Sequence, residues 1–204
     1  MGFYEKHILP RGIDWVMRFP AAATERHQLV PQARGTVLEV GIGSGLNLPF
    51  YDSSVSRLYG LDPSPELRRM AEKRAIHAPF PVDFLGTVAE EIPLASDSTD
   101  TVLTTWTLCS VDEPDRALAE MRRVLRPDGR LIFIEHGRSP EASVSRWQHR
   151  LDPIWTRFAG GCRLTRPMDE LIRQAGFRLA RQETGYIPGP RLLSYHYRGI
   201  ALKD

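Results

Sequence analysis

Cysteine is almost absent: Cys109 and Cys162 are the only two in 204 residues. They lie far apart, and neither sits in a short Cys/His run. The sequence therefore lacks both a disulfide framework and a metal-type spacing. Two reduced thiols in a cytoplasmic protein are expected, and no metal. Lysine is scarce too, occurring only at Lys6, Lys73 and Lys203, so arginine carries nearly all the positive charge. The net charge of +2 gives no push toward nucleic acid, and no such partner is expected. No apolar run approaches the ~18 residues of a bilayer span, and the N-terminus shows no signal-peptide core. Repeats and low-complexity tracts are missing. What remains is an ordinary globular composition, long enough for one domain as a monomer or homodimer.

Along the chain, residues 1–34 mix apolar and charged residues, punctuated by Pro10, Pro20 and Pro31. They read as short helices packed on a main body. From Gly35 the pattern alternates. Strands are expected at Thr36–Val40, Arg57–Leu61, Val82–Leu85, Thr101–Leu108, Arg130–Gly137, Phe177–Thr184 and Ser194–Lys203. Helices are expected over PELRRMAEKRA, over DEPDRALAEMRRVL with Asp112 as cap, and over VSRWQHRLDPIWTRF with a kink or break at Pro153. A further helix, DELIRQAG, would be capped by Thr165 and end at Gly176. Pro127-Asp128-Gly129 reads as a turn. Strand–helix alternation argues for a three-layer αβα sandwich with a mostly parallel sheet. The last two strands have no helix between them, so they should pair antiparallel.

The stretch LEVGIGSGLN ends a buried strand in Gly41, Gly43 and Gly45. Such a loop lets backbone N–H groups approach a ligand closely. A dinucleotide fingerprint needs its third glycine three residues after the second, where Leu46 stands here. Asp62, closing the next strand, can accept from ribose hydroxyls of either a dinucleotide or S-adenosylmethionine (SAM).

Four segments in order then resemble a known family: LEVGIGSGLN, GLDPSPEL, VAEEIPLASDSTDTV and EMRRVLRPDGRLIFIEH. They resemble the class I SAM-dependent methyltransferases of the type 11 group, over roughly residues 35–136. The resemblance implies a Rossmann-like seven-stranded sheet, with the last strand inserted antiparallel. It implies one domain over residues 1–204, with a helical lid (1–34), a SAM-binding core (35–136), a cap insertion (137–165) and a C-terminal helix with strands 6 and 7 (166–204). It assigns Gly41, Gly43, Gly45 and Asn47 to the methionine end of SAM, and Glu39 to its amino group. It assigns Asp62 to the ribose, and Pro63, Val88, Ala89 and Glu90 to the adenine. Thr105 and Trp106 would line the channel to the methyl group, and S-adenosylhomocysteine would be the product.

For the acceptor, a hydroxyl usually needs a base or a metal, whereas a thiol ionises near pH 8.5 and needs less help. Base candidates at the strand ends are few. His136, beside Glu135, is the best placed, and His7 and Tyr4 would join it if the N-terminal segment forms a lid. TLCSVDEPDRAL, LDPIWTRFAGGCRLTR and YRGIALK resemble the bacterial relatives of microsomal thiol S-methyltransferases. This chain carries the charged FYEKHILPRGID where the mammalian proteins have an apolar anchor. The leading expectation is S-methylation of a small apolar thiol, with Trp147, Trp155 and Phe158 roofing its pocket. The alternatives are N-methylation of an amine or phospholipid headgroup, or C-methylation of a quinone-like ring. The amphipathic stretch around Trp147–Phe158, with Arg146, Arg150 and Arg157, suits peripheral membrane contact. The two cysteines are expected to be inert and buried; otherwise one borders the acceptor pocket or responds to redox state.

Overall fold

The computed structural model describes residues 4–203; residues 1–3 of the expected lid, and residue 204, lie outside the described residues. Seven strands form one sheet: β1 (Gly35–Val40), β2 (Val55–Leu61), β3 (Val82–Leu85), β4 (Thr99–Thr105), β5 (Leu125–His136), β6 (Phe177–Tyr186) and β7 (Tyr195–Lys203). Their spatial order is β3-β2-β1-β4-β5-β7-β6. The first five run parallel, and β7 is antiparallel to both β5 and β6. The helices are α1 (Leu9–Val16), α2 (Pro20–Leu29), α3 (Pro65–Ala75), α4 (Pro114–Val124), α5 (Ala142–Phe158) and α6 (Met168–Gln174). This is the αβα sandwich expected from the alternation.

The central strands are apolar on both faces, as a parallel sheet covered on both sides requires. One face of the sheet packs Leu38 and Phe133 against Leu118 and Met121 of α4 and Met168 and Ile172 of α6. The other packs Val37, Leu58, Ile132 and Ile134 against Leu29 and Val30 at the end of α2 and Ala71 of α3. Each of the larger side chains, fully buried, contributes roughly 1.5–3 kcal/mol.

Local chemistry sets most ends. Ser64 accepts from the Leu67 amide (3.3 Å), Pro65 opens α3, and Lys73 and Arg74 lie in its last turn. Several expected boundaries move. Strand β4 stops at Thr105, because Trp106 turns the chain with φ of 51°. Helix α5 runs through Pro153 without a break. Thr156 Oγ1 donates back to the Asp152 carbonyl (2.8 Å) and Asp152 Oδ1 accepts from the Leu164 amide, tying the helix across the proline. Asp112 is not a cap: Glu113 holds that position, and its amide donates to Glu90 Oε1 (3.1 Å). Thr165 is not a cap either, since α6 starts only after Pro167. The Pro127–Gly129 turn is absorbed into β5, which shifts register against β4 there.

Strand order reverses between β1 and β4, so the crevice at their carboxyl ends is where an open α/β sheet presents a ligand site.

Candidate active site

The loop after β1 takes left-handed backbone at Gly41 (φ 74°), Gly43 (φ 54°) and Gly45 (φ 79°). Gly41 passes so close to Thr107 that a Cβ would lie 2.0 Å from its Oγ1. A Cβ on Gly43 would meet no atom nearer than 3.9 Å. That position opens onto free space, which is room for a ligand.

Beneath this loop Glu39 is buried, at 1% exposure. Asn47 Nδ2 donates to Glu39 Oε1 (2.7 Å) and to Thr105 Oγ1 (3.0 Å), and the Tyr51 hydroxyl donates to Glu39 Oε2 (2.7 Å). Arg26 of α2 donates from Nε to Asn47 Oδ1 (2.9 Å). Burial pushes the Glu39 carboxyl up to about 7 against these bonds, and burial draws Arg26 down to about 10. Neither Arg26 nor Tyr51 stands out in the sequence, because each comes from outside the glycine motif.

Asp62, at the end of β2, accepts from the amides of Gly43 (3.0 Å, Oδ2) and Ser64 (2.8 Å, Oδ1). Burial raises this carboxyl and the two amides oppose that rise. Each oxygen keeps a lone pair for another donor. Pro63 and Val88 are exposed, Ala89 is buried, and Glu90 is held by the start of α4.

On the far side of the crevice, Trp106 is fixed from two directions. Its Nε1 donates to His196 Nε2 (2.7 Å), and the Arg26 guanidinium lies 4.8 Å from its ring centre. His196 Nδ1 in turn meets the Ser194 carbonyl (2.9 Å). Both ring nitrogens are thereby used by a neutral imidazole, and burial lowers its pKa to about 4.

Glu135 is completely buried, and its hydrogen bonds go to the turn after β4 rather than to His136. Its carboxylate accepts from the amides of Thr107 (3.0 Å), Leu108 (3.1 Å) and Cys109 (3.4 Å) and from Thr104 Oγ1 (2.8 Å). It is the anchor of the turn that carries Cys109.

His136 meets both cysteines. Cys109 Sγ lies 3.5 Å from Cys162 Sγ, which lies 3.6 Å from His136 Nδ1 and 3.9 Å from Nε2. The contact with Cys162, with burial, pushes the Cys109 thiol well up, and the same contact draws Cys162 down. Burial acts most strongly, to lower His136, but the contact with Cys109 and the charges of Glu135 and Asp152 together raise the imidazole. The cysteines, far apart in sequence, are neighbours in space.

The N-terminal segment contacts α5, α3 and, through Arg74, the glycine loop. The Tyr4 hydroxyl donates to the Phe158 carbonyl (2.7 Å) at the end of α5. Asp14 of α1 pairs with Arg74 (2.9 Å), whose guanidinium also reaches the Ser44 carbonyl of the glycine loop. His7 is exposed. Trp147 and Phe158 are exposed at 53% and 64%, so they do not roof a pocket; Trp155 is partly buried. A surface recess lies at the opposite, amino end of the central strands, among Arg34, Asp97, Asp100, Arg126 and Asp128, away from all these groups.

Residues 38–133 match the methyltransferase domain family. The chain is 34% identical to thiol S-methyltransferase TMT1A of Homo sapiens over 183 residues, covering 85% of this chain and 72% of that protein. It is 35% identical to phosphatidylethanolamine N-methyltransferase of Cereibacter sphaeroides over 136 residues, covering 64% and 66%. The chain spans as little as 59% of some of the thiol S-methyltransferases it matches. A Thermotoga maritima structure, a SAM-dependent methyltransferase described as a possible histamine N-methyltransferase, superposes with a TM-score of 0.67 at 24% identity, over 98% of this chain and 99% of that one. Fold, motif order and relatives agree: the chain belongs to the SAM-dependent methyltransferases of the methyltransferase domain family.

Proposed function

We propose that the protein methylates a small thiol at sulfur. The observation that carries this reading is the state of the carboxylates at the crevice. Glu39, Asp62 and Glu135 already accept hydrogen bonds from fixed donors, so none stands ready as a strong base. An acceptor that ionises near neutral pH suits such a site better than a hydroxyl does. The similarity to thiol S-methyltransferases supports the same choice.

SAM supplies an electrophilic methyl group on a sulfonium. The open backbone at Gly43, with Gly41, Gly45 and Asn47, holds its methionine end. Glu39, once ionised, faces its ammonium directly or through water. Asp62 accepts from the ribose hydroxyls with its remaining lone pairs. Pro63, Val88 and Ala89 flank the adenine, with Glu90 behind them. Thr105 and Trp106 line the passage to the acceptor. Trp106, held by His196 and Arg26, keeps water from that passage. His136 meets the acceptor's sulfur, and Tyr4 and His7 belong to the closing N-terminal segment.

The test is release of S-adenosylhomocysteine by purified protein offered alkyl and aryl thiols, amines, phosphatidylethanolamine liposomes and quinols in separate reactions. Turnover on thiols alone is expected. Turnover on amines or lipid with none on thiols contradicts the reading.

One observation favours a second reading, methylation of a lipid amine. Trp15 (77%), Trp147, Ile154 (61%) and Phe158 are exposed on α1 and α5, beside Arg146, Arg150 and Arg157. An apolar face edged by arginines suits an anionic membrane surface. Among the described residues no helix is long and apolar enough to cross a membrane.

A further inference from the structure

We propose that Cys109, His136 and Cys162 hold a zinc ion with one coordination position open, and that this position takes the sulfur of the acceptor. Zinc bonds of ~2.3 Å to sulfur and ~2.0 Å to nitrogen, at tetrahedral angles, place ligand atoms roughly 3.5–3.8 Å apart. The two closest separations here are 3.5 Å between the sulfurs and 3.6 Å from Cys162 Sγ to His136 Nδ1. All three ligand atoms lie within 4.8 Å of one another. Two thiolates and an imidazole are a soft donor set, which selects zinc over magnesium or calcium.

The cluster is built, not incidental. Glu135 holds the amides of residues 107–109, and the Arg163 amide donates to the Cys109 carbonyl (2.9 Å). Gly161 packs so closely that a Cβ would sit 3.0 Å from the Ser110 carbonyl oxygen. Arg166 clamps the carbonyls of Leu108 and Val111. Both cysteine-bearing turns are thus fixed against each other. Trp155 Nε1 is buried with the Cys162 sulfur as its neighbour, a donor suited to a metal-bound sulfur.

No fourth protein ligand joins among the described residues. His196 lies close, with its ring 6.2 Å from that of His136, but both its nitrogens are engaged. Glu135 is consumed by the turn it anchors. Three ligands and a vacancy are the pattern of a catalytic zinc, not of a closed structural one. On binding there a thiol releases its proton to solvent and remains as thiolate. Its sulfur lone pair forms the bond to the methyl carbon while the carbon–sulfonium bond breaks, leaving a neutral thioether and neutral S-adenosylhomocysteine. A thioether is a weaker ligand, so the product leaves. His136 thereby serves as a ligand rather than as the proton acceptor.

The zinc site stands by itself; its open position as the acceptor's place rests on the thiol reading. The experiment is elemental analysis of the full chain purified without chelator, then cobalt replacement and addition of thiophenol. About one zinc per chain is expected, falling at least tenfold in Cys109→Ser and Cys162→Ser. Should either variant fail to fold, the wild-type cobalt protein decides, with intense visible bands of tetrahedral cobalt–thiolate that shift when thiophenol is added. Protein that takes up no zinc after incubation and desalting, or that holds the two sulfurs as a disulfide, overturns the proposal. If zinc-free protein still methylates thiols, the open-position assignment falls and the thiol reading stands. If the protein binds zinc, its cobalt spectrum ignores thiophenol and amines are methylated, the thiol reading and the open-position assignment fall while the metal site stands.

Discussion

Glu39 couples the site to pH. Its folded-state pKa of about 7 lies above the ordinary carboxyl range, so the folded protein binds a proton that the unfolded chain has released. The stability this proton gives is present below the unfolded value and is lost as pH rises through about 7. The ligand-free melting temperature should therefore fall between about pH 5 and pH 8. SAM affinity should move the opposite way, tightening about tenfold from about pH 6 to pH 8, because the ammonium needs the ionised carboxylate. Calorimetric titration and melting over that window check both slopes, and Glu39→Gln should flatten both. Trp106→Phe would leave His196 Nε2 buried without its donor, at a cost of about 1–3 kcal/mol in denaturant unfolding. The glycines, Glu39 and Asp62 were legible because they lie in one contiguous strand–loop pattern or at the next strand's end. Arg26, Tyr51 and His196 were not, since nothing local marks an arginine, a tyrosine or a histidine that a distant element brings in.

At the scale of elements, Glu135 and Asp14 show how buried charge positions chain. Glu135→Ala would strand three amides and a hydroxyl, and should destabilise the protein by about 3–5 kcal/mol; Glu135→Gln, which keeps one acceptor, should cost less. Asp14→Asn should loosen α1 from Arg74 without melting the core, read as faster amide exchange over residues 7–18 at nearly unchanged global stability. Periodicity identified every strand and the main helices, because buried faces repeat every 2 or 3.6 residues. It did not mark the docked face of α1, where Asp14 is buried with Pro10 while Trp15 and Val16 are exposed, because an ion pair to Arg74 helps to dock that helix. It also misread both caps. The chain before α6 is held by the Arg138 amide on the Arg166 carbonyl (2.9 Å), and the amide before α4 is claimed by Glu90, contacts that no local propensity encodes.

For the whole molecule, alternation of strands and helices predicted the mostly parallel sheet, since connection rules leave few topologies, and the family resemblance implied its reversed last strand. The cysteine cluster was invisible. Cys109 and Cys162 are 53 residues apart and His136 lies on a third element, so only the folded sheet brings them together. The exposed residues of α5 carry little of the fold. Trp147→Ser and Phe158→Ser should each change stability by no more than about 0.5 kcal/mol, while weakening any cosedimentation with anionic liposomes. The central claim is that sulfur receives the methyl group. The measurement that meets it most directly supplies SAM with a deuterated methyl group to one reaction containing equal amounts of an aryl thiol and a primary amine, and locates the label by mass spectrometry. The account predicts the label in the thioether alone; label on nitrogen, with none on sulfur, would contradict it.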